Sequence, residues 1–294
     1  MFWRSLFSAA LAVPHAGIAP LPVVYSSVPA AERFVTDHDG PPPGANDFDC
    51  KPSGQHPRPV ILVPATATTM SLDFNTLSPL LKNHGYCVFA LNYGRYGALD
   101  SVGEISESAR QLADFVDEVR TATGAAQVDM VGHSQGGMMP RYYMKFLGGA
   151  AVVHRLVGLA PSNHGTTLNG AAALVRALPL GTTALDVAAG PAWSEQLAGS
   201  EFMTRLNADG DTLPGVEYTV IETKYDRVVT PYQSAFLEGP DVTDFTVQDE
   251  CALDLSDHVS LAFDHIALGE TLNALDPAHA VAPTCGPVLP AIGG

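Results

Sequence analysis

The sequence predicts an α/β chain: a mostly parallel central sheet flanked by helices, with a helical insertion over one end. Three observations predict it. Short apolar runs bounded by Pro or Gly recur along the chain, and their continuity suits strands buried on both faces rather than strands with one wet face. Between them lie segments with apolar residues at steps of three and four, as crossover helices between parallel strands require. One run passes directly into a glycine-bracketed serine and then into a helical pattern.

The elements follow in order. At the N-terminus, Met1-Phe2-Trp3-Arg4 leads into an apolar run ending near Val13, which has the single charge and short core of a secretory signal and is too short to span a bilayer. Residues 1–30 are expected to direct export, with Val28-Pro29-Ala30 as a rough small-x-small form. Residues 31–58, rich in Pro and Gly without apolar periodicity, are expected to lead into a domain at 59–294. Val60-Ile61-Leu62-Val63 between two prolines reads as the first strand; a helix is expected from about 72 to 84, stopped by Gly85, and residues 87–92 as the next strand. Ser101 and Glu104 have capping-box spacing, so a helix should start there, with Ile105, Ala109, Leu112, Val116 and Val119 on one face and Gly124 at its end. Further strands are expected at 128–131, 155–160, 218–222 and 245–248. The Ala-, Gly- and Leu-rich stretch 161–214, with helical fragments at 171–178 and 195–206, reads as a cap-like insertion over one end of the sheet.

A chain of 294 residues, 46% hydrophobic, can bury a core of one large domain. Fifteen Lys and Arg against 31 Asp and Glu give a formal net charge of −16, which repels phosphate backbones and anionic bilayers; nucleic-acid binding is excluded on that ground, and a monomer is expected. The four cysteines, Cys50, Cys87, Cys251 and Cys285, contain no CxxC, so zinc-knuckle and thioredoxin-type chemistry is not indicated and disulfides are expected in an exported chain. Their connectivity is open from spacing alone. Asp37-His38-Asp39 is too local for a metal site, and no GxGxxG follows a strand; no metal or cofactor is expected.

The chemistry concentrates at Gly132-His133-Ser134-Gln135-Gly136, a G-x-S-x-G pattern with a strand before it and a helix after it. Such a turn raises the serine hydroxyl clear of the sheet, and it aims the Gln135 amide, at the positive end of a helix, toward an incoming oxyanion. A serine is a poor nucleophile unless a base takes its proton, so an acid and a histidine should follow in the order Ser, Asp or Glu, His. Asp226, just past the strand at 218–222, fits the acid; Asp241, Asp244 and Asp249 are the alternatives. His258, in the loop after the last strand, fits the base, with His265 in the following helix as its main competitor and His279 in a Pro-rich tail. The Thr66 amide, and with it the Thr66 hydroxyl, is the candidate second oxyanion donor after the first strand, the alternative being a helix-capping threonine cluster. His133 is expected behind the nucleophile and His164 at the pocket wall.

On these residues the chain resembles the class 2 bacterial lipases of the actinobacterial type and, more distantly, the fungal lipase B group. The resemblance is carried by Pro59-Val60-Ile61-Leu62-Val63-Pro64, by residues 83–94, by Val131-Gly132-His133-Ser134-Gln135-Gly136-Gly137, by residues 159–166 and 224–231, and by the Cys251-x-x-Asp254-Leu255-x-x-His258 run. It implies an α/β-hydrolase fold and a secreted serine carboxylic-ester hydrolase, a lipase or esterase acting on lipid or other ester substrates at a transient lipid–water interface. It also implies Ser134 as nucleophile, Asp226 as acid, His258 rather than His265 as base, Thr66 and Gln135 as the oxyanion hole, and the pairs Cys50–Cys87 and Cys251–Cys285. A polyesterase or acyltransferase on the same triad, or a silent binding protein of the same fold, are the alternatives. One departure stands out: relatives carry His-Gly or Pro-Gly where this chain has Pro64-Ala65, and alanine narrows the freedom of that turn.

Overall fold

Six strands form one sheet: β1 (Val60–Val63), β2 (Val88–Ala90), β3 (Val128–His133), β4 (Val153–Leu159), β5 (Glu217–Glu222) and β6 (Val242–Thr246). All neighbours are parallel, in the order β2-β1-β3-β4-β5-β6. This computed structural model describes residues 19–178 and 180–294, so the apolar run expected to direct export lies outside the described residues up to residue 18. Alternate side chains of one strand enter opposite cores, as a pleated strand requires. Ile61, Val63 and Met130 pack on one face with Ile105, Leu112 and Val116, whereas Val60, Leu62 and Val131 pack on the other with Leu77, Leu261 and Leu268.

The helices, in chain order, are α1 (Ser27–Thr36), α2 (Met70–Asp73), α3 (Leu77–Asn83), α4 (Ile105–Thr123), α5 (Gln135–Phe146), α6 (Ala171–Ala177), α7 (Gly181–Ala189), α8 (Ala192–Glu195), α9 (Glu201–Asn207), α10 (Val247–Glu250) and α11 (His265–Leu275). Among the described residues no helix is long and apolar enough to cross a membrane. The sequence expectations fail in three instructive places. The helix expected over 72–84 is two pieces, because a continuous helix would place Pro79, which has no N–H, in its interior; restarting at Leu77 puts that proline in a first turn, where no donor is needed. The expected Ser101–Glu104 capping box does not form. Ser101 adopts φ 57° and its hydroxyl donates to Thr68 O, while the first amide of α4, at Ile105, donates to Glu195 Oε2 at 2.8 Å. A tertiary cap has replaced a local one. The strand expected at 245–248 lies earlier, since Thr246 and Asp249 form a capping box that turns the chain into α10.

The stretch before β1 covers the sheet edge. The Asn46 side chain accepts from Ala90 N at 2.7 Å and donates to Ala90 O at 2.9 Å, so it pairs the exposed side of β2 as a strand would. The Cys50–Cys87 disulfide fastens that cover, and Cys251–Cys285 fastens the segment after α10 to the C-terminal tail, the two pairings implied by the resemblance. α1 is held beside the tail, with Ser27 N–H and Oγ donating to Ile292 O and Ala291 O.

Candidate active site

The turn between β3 and α5 is built from glycine for a steric reason. A Cβ at residue 132 would lie 1.8 Å from Gly136 O, and one at residue 136 would lie 1.9 Å from Val63 O, so any larger residue would break the crossing of the two segments. Between them Ser134 takes φ 54° and ψ −119°, a conformation that a non-glycine residue holds only when its surroundings impose it. Its amide donates to Leu159 O at 2.8 Å, anchoring the turn to β4. The Gln135 amide, at the first position of α5, has no acceptor within its own helix.

Ser134 opens into a cavity of about 390 Å³ with a mainly apolar wall that also holds Thr66, Trp193, Gln196, Val228 and His258. His258 Nδ1 meets Asp226 Oδ2 at 2.7 Å, and the Asp226 side chain is wholly buried. The other oxygen, Asp226 Oδ1, accepts from Val228 N at 2.7 Å and from Val229 N at 2.9 Å, which stabilises the ionised carboxylate. No Ser134–His258 hydrogen bond is formed in this geometry; such pairs commonly tighten only around a substrate.

The competing residues are occupied elsewhere. Asp241 is exposed, Asp244 accepts from Leu237 N, and Asp249 pairs with Lys224. His265 opens α11 with both ring nitrogens on backbone carbonyls, those of Gly294 and Thr284, and His279 pairs with Asp276 on the surface. His164 is not at the cavity wall as expected: it bridges Ser234 O and Asp211 Oδ1, and the bond to Asp211 lifts its pKa above the ordinary value. His38, Asp39 and Asp100 do converge, but Arg95 donates to both carboxylates and His38 Nε2 lies 2.7 Å from Asp100 Oδ2, so the group is an ion-pair network.

Thr66 stands in a network that sequence reasoning missed. Its hydroxyl donates to Gln135 Oε1 at 3.0 Å, which commits that proton and leaves the backbone amide as the group free to meet an oxyanion. Gln196 Nε2 donates to both Thr66 Oγ1 and Gln135 Oε1 at 2.8 Å, and Gln196 Oε1 accepts from Ser162 Oγ. Gln135 Nε2 in turn donates to Tyr93 OH, and Tyr93 donates to Pro64 O at 2.6 Å. Asp73 closes the loop from below: Oδ2 accepts from Ala65 N at 2.6 Å and from Thr68 Oγ1 at 2.9 Å. Ala65 does not adopt a positive φ, which is why the departure from glycine is tolerated there; the left-handed residue of this loop is Ala67, at φ 59°.

Behind the nucleophile, His133 Nε2 lies 2.9 Å from His258 O, and Nδ1 forms an ion-pair contact of 3.4 Å with Asp73 Oδ1. Burial alone would push the His133 imidazole down, but the Asp73 carboxylate outweighs it and its pKa is raised. One carboxylate thereby braces both the Ala65–Thr68 turn and the backbone of His258.

A family model described as lipase (class 2) matches residues 57–265. The chain is 38% identical over 77 residues to a triacylglycerol lipase of Pseudarthrobacter phenanthrenivorans and, over the same length, to one of Burkholderia plantarii. That stretch is 26% of this chain and only 21% and 19% of those proteins, so the match spans about a fifth of their length. The crystal structure of Aspergillus fumigatus lipase B superposes with a TM-score of 0.62 over 83% of this chain and 57% of that one, at 20% identity, a likeness of fold.

Proposed function

Because the chain belongs to the class 2 lipase family, we propose that it is a carboxylic-ester hydrolase acting on lipid esters through Ser134, His258 and Asp226. Ser134 Oγ attacks the ester carbonyl as His258 Nε2 takes its proton; Asp226 holds the opposite nitrogen as N–H and stabilises the imidazolium. The tetrahedral oxyanion sits between the amides of Thr66 and Gln135, where the start of α5 adds its dipole. His258 then delivers the proton to the departing alcohol, and a water activated by the same imidazole releases the acid. The observation that carries this reading is the 2.7 Å His258–Asp226 contact behind a cavity that also holds Ser134 in a forced backbone conformation. Two disulfides and the apolar run near the N-terminus support export.

The test is hydrolysis of p-nitrophenyl butyrate, p-nitrophenyl palmitate and emulsified triglyceride by the parent chain and by Ser134→Ala, His258→Ala and His265→Ala. The first two variants should lose on the order of 10⁴-fold or more in kcat, while His265→Ala keeps its turnover. Labelling of Ser134→Ala by a fluorophosphonate would refute the nucleophile. The ratio of palmitate to butyrate turnover separates lipase from esterase.

A further inference from the structure

Glu222 ends β5 with no exposed surface, directly below the loop that carries Asp226. One oxygen, Oε1, accepts from Thr223 N at 2.7 Å; the other, Oε2, is buried and meets no N–H or O–H donor. That carboxyl lies beside the Asp226 carboxyl, close enough for the Asp226 charge to act on it. Among the described residues neither group forms an ion pair with Lys or Arg, the nearby Lys224 being engaged with Asp249. Two buried carboxylates in contact without a cation cannot both stay ionised. The donors decide which one keeps its charge: Asp226 receives two backbone N–H groups and the His258 ring N–H, Glu222 a single backbone N–H.

We propose that Glu222 is a neutral carboxylic acid whose O–H donates to Asp226, extending the Ser134–His258–Asp226 line inward by one residue and making Glu222 a positioning residue for ester hydrolysis. This rests on the triad reading above. Burial first and the Asp226 charge second push its pKa well above the usual carboxylate range, in keeping with that state. The donated bond gives Asp226 a fourth partner and fixes its rotamer, so that Oδ2 stays on the imidazole. Ionisation of Glu222 at high pH would turn that donor into a second anion against Asp226. Among the described residues the neighbouring elements supply nothing else that titrates against it: in β6 its register partner is Thr246, in β4 the adjoining pair is Leu159 opposite Ile221, α10 contributes Gln248 and the segment after it the Ser256 carbonyl to Thr223, and His258 is reached through Asp226.

The experiment pairs kinetics with a direct reading of the proton. Glu222→Gln still offers an N–H to Asp226 and should keep kcat within about threefold near pH 7, but without the alkaline loss that follows Glu222 ionisation; Glu222→Leu offers nothing and should lose about tenfold or more in kcat with KM little changed. A Glu222→Gln profile that superimposes on the parent profile, or a Glu222→Leu variant with parental kcat, overturns the inference. Neither substitution is needed for the second measurement. In the full chain labelled with carbon-13 at glutamate carboxyls, and in its Ser134→Ala form, one resonance should remain at the protonated position after all the others have ionised, including that of Glu195, whose burial raises it to about 7. The absence of such a resonance refutes the proton on Glu222 whatever the protein catalyses. If it is present while Ser134→Ala hydrolyses esters normally, the triad reading fails, and with it the positioning role, while the buried acid stands.

Discussion

The two sides of the cavity are held in different ways. On the triad side the nucleophile and the acid are each fixed by their own turn: Ser134 by the glycines around it, and Asp226 by the amides two and three residues ahead. On the oxyanion side the holding groups come from far apart in the chain, since Thr66, Gln135 and Gln196 meet across as many as 130 residues and Asp73 reaches back to Ala65 from the end of α2. The triad side is therefore a set of short motifs brought together by the sheet, whereas the oxyanion side is a side-chain network that exists only after folding. The second should be the more easily loosened, and substitutions there should weaken turnover without removing it.

The largest effect that would sharpen this contrast is expected at Gln196. Gln196→Leu keeps the volume near the cavity but removes the amide that bonds both Thr66 Oγ1 and Gln135 Oε1. Since losing one oxyanion donor typically costs about 10²–10³ in kcat, misplacing one through its support should approach about 10². Thr66→Val removes the acceptor of one of these bonds and, with it, the hydroxyl that donates to Gln135 Oε1. If the network acts as a unit, the double variant should be scarcely worse than Gln196→Leu alone, and a double-variant cycle on kcat reads this directly. Fully additive losses would show that the two residues act separately and that the oxyanion side is not held as one network.

A smaller effect is expected where the two sides touch. Asp73→Asn removes the charge that pairs with His133 while keeping an oxygen for Ala65 N–H. His133 should then lose the rise in pKa that the Asp73 charge gives it, and with it the ion-pair contact on Nδ1, while Nε2 keeps its place beside His258 O. We expect a loss of about tenfold in kcat with KM nearly unchanged, together with an upfield move of the His133 ring protons at neutral pH. Unchanged ring shifts would mean that Asp73 does not set the charge of His133.

The same division explains what could be read before the fold was known. The strand–turn–helix around Ser134, the apolar runs of β1, β3, β4 and β5, and the amphipathic face of α4 depend on residues within a few positions of one another, so their patterns stand in the sequence. Gln196, Asp73, Tyr93 and Glu222 carry no such pattern. A glutamine after a short helical fragment or a glutamate at the end of a strand reads as a surface residue, and only the packing shows that both are buried and bonded. The start of α4 failed for a related reason: its first amide is capped by Glu195, 90 residues away, instead of by the local serine. Likewise the Pro-rich stretch at 37–59 has no strand pattern of its own, because an isolated backbone bridge at Ala45–Asn46, the Asn46 side chain and a disulfide do the pairing against β2.

The smallest effect concerns stability and tests whether the loop carrying His258 belongs with the locally fixed side. Asp254 and Asp264 flank that loop, both fully buried; each has one oxygen on a backbone amide, from Ser256 and from Ile266, and each has its second oxygen buried with no N–H or O–H donor. Burial first and the neighbouring Asp254 charge second raise Asp264 to about 8. The unfolded chain holds that proton only below about pH 4, so the folded state binds more protons between there and about 8. The contribution is full below the unfolded value and is lost as pH rises through the folded one, at a slope of at most about 1.4 kcal/mol per pH unit for a single group. Urea unfolding at pH 5, 7 and 9 should therefore show a downward component for the parent chain that is reduced in Asp264→Asn, a substitution that retains the helix-capping oxygen at the start of α11. If the two pH dependences coincide, the pair shares no proton, and the His258 loop must be closed by its backbone and the Cys251–Cys285 bond without help from these two carboxyls.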